Sequence, residues 1–117
     1  MITRIRLDNE VVGYKRIEGN YTLFSKDLYG WNGTEIQYNQ EEKSTDFKDK
    51  NAQQIFENDV LEIKDKKEAN GFLYYVSYKE DEVILNPYNT EEKVSTKVLM
   101  NRDFSIKKIG YLEDLKH

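Results

Sequence analysis

Short runs of alternating apolar and polar residues recur at roughly ten-residue intervals along this chain, each closed by turn-forming residues. A side-chain period of two puts alternate residues on opposite faces of a strand, so each run has one face to bury and one to leave wet. No stretch carries a 3.6-residue period long enough for a helix that is stable by itself. The expectation is a mostly β fold, a small antiparallel barrel or sandwich.

The strands are expected at residues 2–7, 11–14, 21–24, 35–38, 59–63, 72–78, 83–85 and 104–112. In the run from Phe72 to Tyr78, the residues Phe72, Tyr74, Val76 and Tyr78 share one face, against Leu73, Tyr75 and Ser77. Pro87 stops the strand before it, because proline cannot donate to a ladder. Asn70 followed by Gly71 is a hairpin signal, both residues tolerating positive φ. Residues 93–100 suit a strand or a helical turn. Asn51–Glu57 and Tyr111–His117 have the composition of single helical turns. Residues 27–33 read as a loop. Residues 39–44 are polar throughout and read as a boundary. It separates a β-rich N-terminal appendage, 1–43, which also reads as an oligomerisation segment, from a second domain, 44–117.

Aromatic residues make up 13% of the chain, and nine of them are Tyr; a disordered segment would be poor in these. Cysteine is absent, which excludes disulfides, thiolate zinc sites and cysteine nucleophiles. No apolar run approaches the ~20 residues that span a bilayer. Residues 1–7 alternate charge with apolar groups where a signal peptide needs a continuous apolar region. A protein of the cytoplasm, away from membranes, is expected. The net charge is −4, from 18 basic and 22 acidic residues, so the basic excess typical of nucleic-acid binders is missing.

Catalytic groups are scarce. The one histidine is His117, at the end of the chain, so chemistry of the Ser-His type has no base. Ser44, Ser77, Ser95 and Ser105 have lysines nearby, as chance predicts at this composition. Asp46, Asp49, Glu57, Asp59 and Glu62 crowd one segment. Their spacing matches no calcium loop, and turn chemistry, in which Asp bonds the backbone amides that follow it, explains them better than a metal site. Gly19, Gly30, Gly33 and Gly71 lack phosphate-loop spacing. No enzyme activity, cofactor or metal is expected.

The aromatic residues are the candidates for binding. Tyr29, Trp31 and Tyr38 in the first half, and Tyr74, Tyr75 and Tyr78 in the second, form a candidate interaction face. Tyr and Trp offer large contact area with a polar handle. The competing readings are the rim of a small core and, with less support from the charge, stacking on single-stranded nucleic acid.

One segment, Thr45 to Ile63, resembles the signature of the YopX family of phage and prophage proteins. Lys48, Asp49, Lys50, Asn51, Ile55, Glu57 and Asp59 coincide with the family pattern, and Phe47, Phe56, Val60 and Leu61 match it in type. Ile109, Gly110 and the three residues after them resemble its closing segment. Family glycines fall at Asp46, Ala52 and Asn58 here. Asp and Asn adopt left-handed backbone at modest cost. Alanine does so less readily, so either the turn at Ala52 differs or that glycine is not conformationally required. The resemblance implies a compact SH3-like barrel with an N-terminal β appendage, and it implies no catalytic motif. The functional expectation is a phage accessory protein that binds another protein, with a host factor or defence system as one target. Self-association is a further expectation. The alternative is a nucleic-acid-associated SH3-like module.

Overall fold

The computed structural model of the protein describes residues 1–115. The chain forms two compact units, Met1–Ser44 and the part from Thr45 on. His117 lies outside the described residues.

In the first unit, β1 (Ile2–Leu7), β2 (Glu10–Glu18) and β3 (Tyr21–Ser25) make an antiparallel meander. The first half of β4 (Gln40–Lys48) pairs on the free side of β1, giving the order β3-β2-β1-β4. Asp8 and Asn9 join β1 to β2 with both φ angles positive, at 51° and 72°, the pattern of a type I′ turn. Reciprocal side-chain bonds tie this tip to the chain ahead of β4. The amide of Asp8 donates to Asn39 Oδ1 (3.1 Å), and the amide of Asn9 donates to Gln40 Oε1 (2.8 Å).

Residues 39–44, read as a polar boundary, end where the first unit ends, and most of them are strand. Their polarity hides a buried ion cluster. Glu42, 2% exposed, accepts from Arg4 Nε and from Arg6 Nε, both at 2.7 Å. The register Arg4↔Glu42 sets these side chains on one face of the sheet. Residues 35–38, expected as a strand, pair with no other strand. Their burial alternates as a strand's would, with Ile36 and Tyr38 half-buried and Glu35 and Gln37 exposed.

In the second unit, β6 (Asp59–Asp65), β7 (Phe72–Lys79), β8 (Glu82–Pro87) and β9 (Phe104–Tyr111) form an antiparallel sheet in the order β8-β7-β6-β9. The short β5 (Gln54–Phe56) is hydrogen-bonded to β4. The expected barrel is not closed: β8 and β9 remain edges of their sheet. Pro87 is tolerated because β8 is such an edge. Cross-strand pairing builds the core directly. Leu61 faces Tyr74, Ile63 faces Ile106, and Val76 faces Leu85, with Ile55 added from β5. Each such buried aliphatic side chain contributes about 1.5–3 kcal/mol.

Residues 93–100 resolve toward the helical reading, as a 3₁₀ turn over Thr96–Met100. A one-turn helix α1 (Leu112–Leu115) follows β9. The helical turn expected at Asn51–Glu57 is absent; Gln54–Phe56 is strand instead. Asn70 and Gly71 do not supply the expected positive-φ hairpin turn. Gly71 is needed for space, since a Cβ there would lie 2.9 Å from the carbonyl oxygen of Ile63. The positive-φ pair sits instead at Glu80 and Asp81, between β7 and β8.

Candidate functional site

The loop after β3 is fixed by two short side chains. Ser25 is buried, and its Oγ accepts from the amides of Asp27 (3.3 Å) and Leu28 (2.9 Å). Asp27 Oδ1 accepts from the amides of Tyr29 (2.9 Å) and Gly30 (3.1 Å), and from Ser25 Oγ (3.2 Å). The Gly30 and Tyr29 amides hold the Asp27 carboxyl below its ordinary range, against a smaller opposing effect of burial. This network holds Leu28 at φ 75°, a conformation that a bulky side chain rarely adopts. The Leu28 carbonyl then accepts from Trp31 Nε1 (3.1 Å), and the Arg16 guanidinium lies over the Trp31 ring at 4.5 Å. Phe24 and Asn32 close the loop by exchanging two backbone bonds, of 2.7 and 3.0 Å.

Tyr29 projects from this frame, 91% exposed. Beside it is a hollow of about 690 Å³, lined among others by Phe24, Asp27, Trp31 and Ile36. The chain reaches Ile36 by crossing β2 at Gly13, where a Cβ would stand 2.8 Å from Ile36 Cδ1 and 2.6 Å from the Ser25 carbonyl oxygen. Only glycine leaves room for that crossing. Tyr38 is pinned: its hydroxyl accepts from Lys15 Nζ (2.9 Å), and Lys15 also bonds Glu41. Burial alone would lower the Lys15 pKa, but Glu41 and Tyr38 outweigh it and raise it. Hydrogen bonding to Lys15 lowers that of Glu41.

The six aromatic residues singled out from the sequence fall into different roles. Tyr29 is free for contact; Trp31 and Tyr38 are half-buried and hold the loop. Tyr74 is a core residue, 1% exposed, donating its hydroxyl to the Glu92 carbonyl (3.0 Å). Its burial, and then the Glu92 charge, push its pKa up. Tyr75 and Tyr78 are half-buried on opposite faces of β7. Burial raises the Tyr78 pKa, as do Asp46 and Glu57 nearby. Tyr74 is thus closed to a partner, and the three do not form one surface. Sequence reasoning missed Ser25, Asp27 and Ile36. The signal for the first two was Ser25 and Asp27 just ahead of Gly30, a pattern that favours side-chain-to-backbone turns.

The family model described as YopX protein matches residues 8–112. The chain belongs to the YopX family. No curated protein and no solved structure matches it. The match takes in the first unit from Asp8 on, well beyond the two segments in which the resemblance to YopX proteins is legible by eye.

The three positions at which YopX proteins carry glycine all adopt left-handed backbone: Asp46 at φ 65°, Ala52 at 61° and Asn58 at 71°. Ala52 thus takes a backbone conformation in which glycine is free and alanine is strained, so the chain forms a left-handed turn there without a glycine. Asp49 holds that turn. Its Oδ1 accepts from the amides of Asn51 and Gln53, and its Oδ2 accepts from the amide of Lys108 in β9, 3.0 Å away. Asp59 Oδ2 accepts from the Phe56 amide (2.7 Å) and pairs with Lys108 Nζ (3.2 Å). Asp49 thus acts on amides that follow it, as turn chemistry requires, whereas Asp59 reaches back to an amide three residues before it. Ser77 Oγ accepts from Asn86 Nδ2 and Ser95 Oγ from the Lys97 amide. Among the described residues, no helix is long and apolar enough to cross a membrane.

Proposed function

We propose that this YopX protein acts by binding another protein, with the loop from Ser25 to Asn32 as the contact. One observation carries the reading: an almost fully exposed Tyr29 stands on a loop whose backbone is locked by Ser25 and Asp27. An aromatic anchor presented rigidly loses little entropy on association, and exposed tyrosines with fixed backbones make effective hot spots. Strain at Leu28 supports it, since strained backbone gathers at working sites. The hollow beside Tyr29 offers a partner side chain an apolar wall at Trp31 and Ile36.

The partner is a protein of the bacterial host, and the protein is a phage accessory factor of the cytoplasm without catalytic activity. Self-association by strand addition to β3 is hindered at Phe24, where Asn32 already occupies the outer edge. A nucleic-acid module built on Tyr74, Tyr75 and Tyr78 is disfavoured by the burial of Tyr74 and by the carboxylates near Tyr78. The test is affinity capture from host lysate with the native chain, with Tyr29→Ala, and with Tyr88→Ala as control. A captured protein that Tyr29→Ala weakens by about thirtyfold or more and Tyr88→Ala leaves in place is the expected result. Capture indifferent to Tyr29 sinks the loop as the contact, and sedimentation showing a concentration-dependent oligomer would turn the reading toward self-association.

A further inference from the structure

Turn chemistry accounts for Asp49 of the signature but leaves its two flanking lysines without a task. Both line a second hollow, of about 350 Å³, within the unit that begins at Thr45. Lys66, just past the end of β6, and Arg102, ahead of β9, line it as well. Four cationic residues thus line one small concavity of a protein whose net charge is −4. The one acidic residue in the lining is Asp49, and its carboxylate is already engaged by three backbone amides. Among the described residues, none of the four cations makes an ion pair.

The backbone that carries these cations is fixed. The Lys50 amide donates to the Ile106 carbonyl (2.8 Å), and the Lys66 amide donates to the Asp103 carbonyl (2.9 Å). Around Arg102, the Asp103 amide donates to Asn101 Oδ1 (2.9 Å) and the Phe104 amide to the Asn101 carbonyl (3.1 Å). Four like charges beside one hollow create a local positive field that favours an anion there. Met100 and Phe104 complete the lining with apolar surface, and Met100 is 69% exposed.

We propose that this hollow binds an organic phosphate of about mononucleotide size. Three lysines and an arginine exceed what a single carboxylate can neutralise, and they suit a doubly charged phosphate, with the arginine fork matching two of its oxygens. The Met100 and Phe104 wall takes the organic part. The volume lies at the lower end of the range for small-ligand pockets. The phosphate can come from a free nucleotide or from the end of a strand; the chemistry of recognition is shared.

Amide chemical shifts recorded at low salt during titration with AMP, and separately with a short oligothymidylate, test this. The expected result is movement of the amides of Lys48, Lys50, Lys66 and Arg102, with the residues around Tyr29 unchanged. Binding of AMP assigns the site to free nucleotides; binding of the oligomer alone assigns it to a strand. Arg102→Glu and Lys50→Gln are expected to weaken binding by about ten- to hundredfold each, while Lys79→Glu, outside the hollow, leaves it intact. All of these positions are exposed, so the variants are expected to fold, and the spectra themselves report it. No shift with either probe, or equal loss in Lys79→Glu, overturns the proposal.

Discussion

From Thr45 on, seven buried apolar side chains drawn from five strands face one another. In Met1–Ser44, the buried apolar side chains among the described residues are Ile5 and Phe24, and Arg4, Arg6 and Glu42 reach equal burial. The later unit rests on area removed from water, which is undirected and offers no charge for salt to screen. The earlier unit rests on polar pairs that work only in one geometry: Arg4 and Arg6 on Glu42, Lys15 on Glu41, and Asp27 on its own loop. A small chain can close a sheet either way. The two means should fail under different conditions.

Removing one member of a buried ion cluster strands its partners, so Glu42→Ala is expected to cost about 3–5 kcal/mol. Trp31 is the only tryptophan, and its fluorescence during urea unfolding reads the first unit directly. A loss below about 1 kcal/mol would erase the contrast, since that is the value of a surface pair. The matching change in the second unit is Leu61→Ala, expected to cost about 2–5 kcal/mol through the lost transfer energy and the cavity left behind. Calorimetry with and without salt sharpens the comparison: the midpoint of the Leu61→Ala variant should move no more with salt than that of the native chain.

A smaller effect of opposite sign is expected at Ala52. Left-handed backbone costs an L-residue about 1–2 kcal/mol, and the extra chain entropy of glycine returns part of that. Ala52→Gly should therefore raise stability by about 0.5–1 kcal/mol, read as a higher urea midpoint with unchanged slope. A lower midpoint would mean that the turn does not bear the strain its φ implies.

The smallest effect concerns pH. Asp27 and Glu41 both have folded pKa values below their ordinary ones, the first through the Gly30 and Tyr29 amides and the second through Lys15. Their contribution is present above the ordinary carboxylate range and is lost as pH falls through the lowered folded values. Carboxyl resonances followed during acid titration should place Asp27 below 3.8 and Glu41 below 4.5. Loosening of the Tyr29 loop should track the Asp27 titration. A loop that loosens well above that range is held by something other than Asp27.

Much of the second unit was legible from residues alone. Alternation from Phe72 to Tyr78 separated the two faces of β7, and the turn-making role of Asp49 followed from its place ahead of free amides; Asp59 instead accepts from the amide of Phe56, three residues before it. Periodicity works there because burial is the main force. It failed at residues 39–44, where a strand buries charge, and at residues 35–38, where a strand-like alternation has no neighbour to pair with. Asn70 and Gly71 misled for a related reason: Gly71 answers to a close carbonyl, which no local pattern reveals. At the candidate contact, the exposure of Tyr29 and the burial of Tyr74 could not be told apart, since composition gives both tyrosines the same character.

By itself the sequence determined the β class, most of the strands and the membership of the signature segment, because these depend on side-chain period and local turn chemistry. Tertiary structure decided which polar residues are buried together, which tyrosines face water and where four cationic residues line one hollow. Those outcomes join residues far apart in the chain, Arg4 with Glu42 and Lys48 with Arg102, and no local propensity encodes a meeting at that distance.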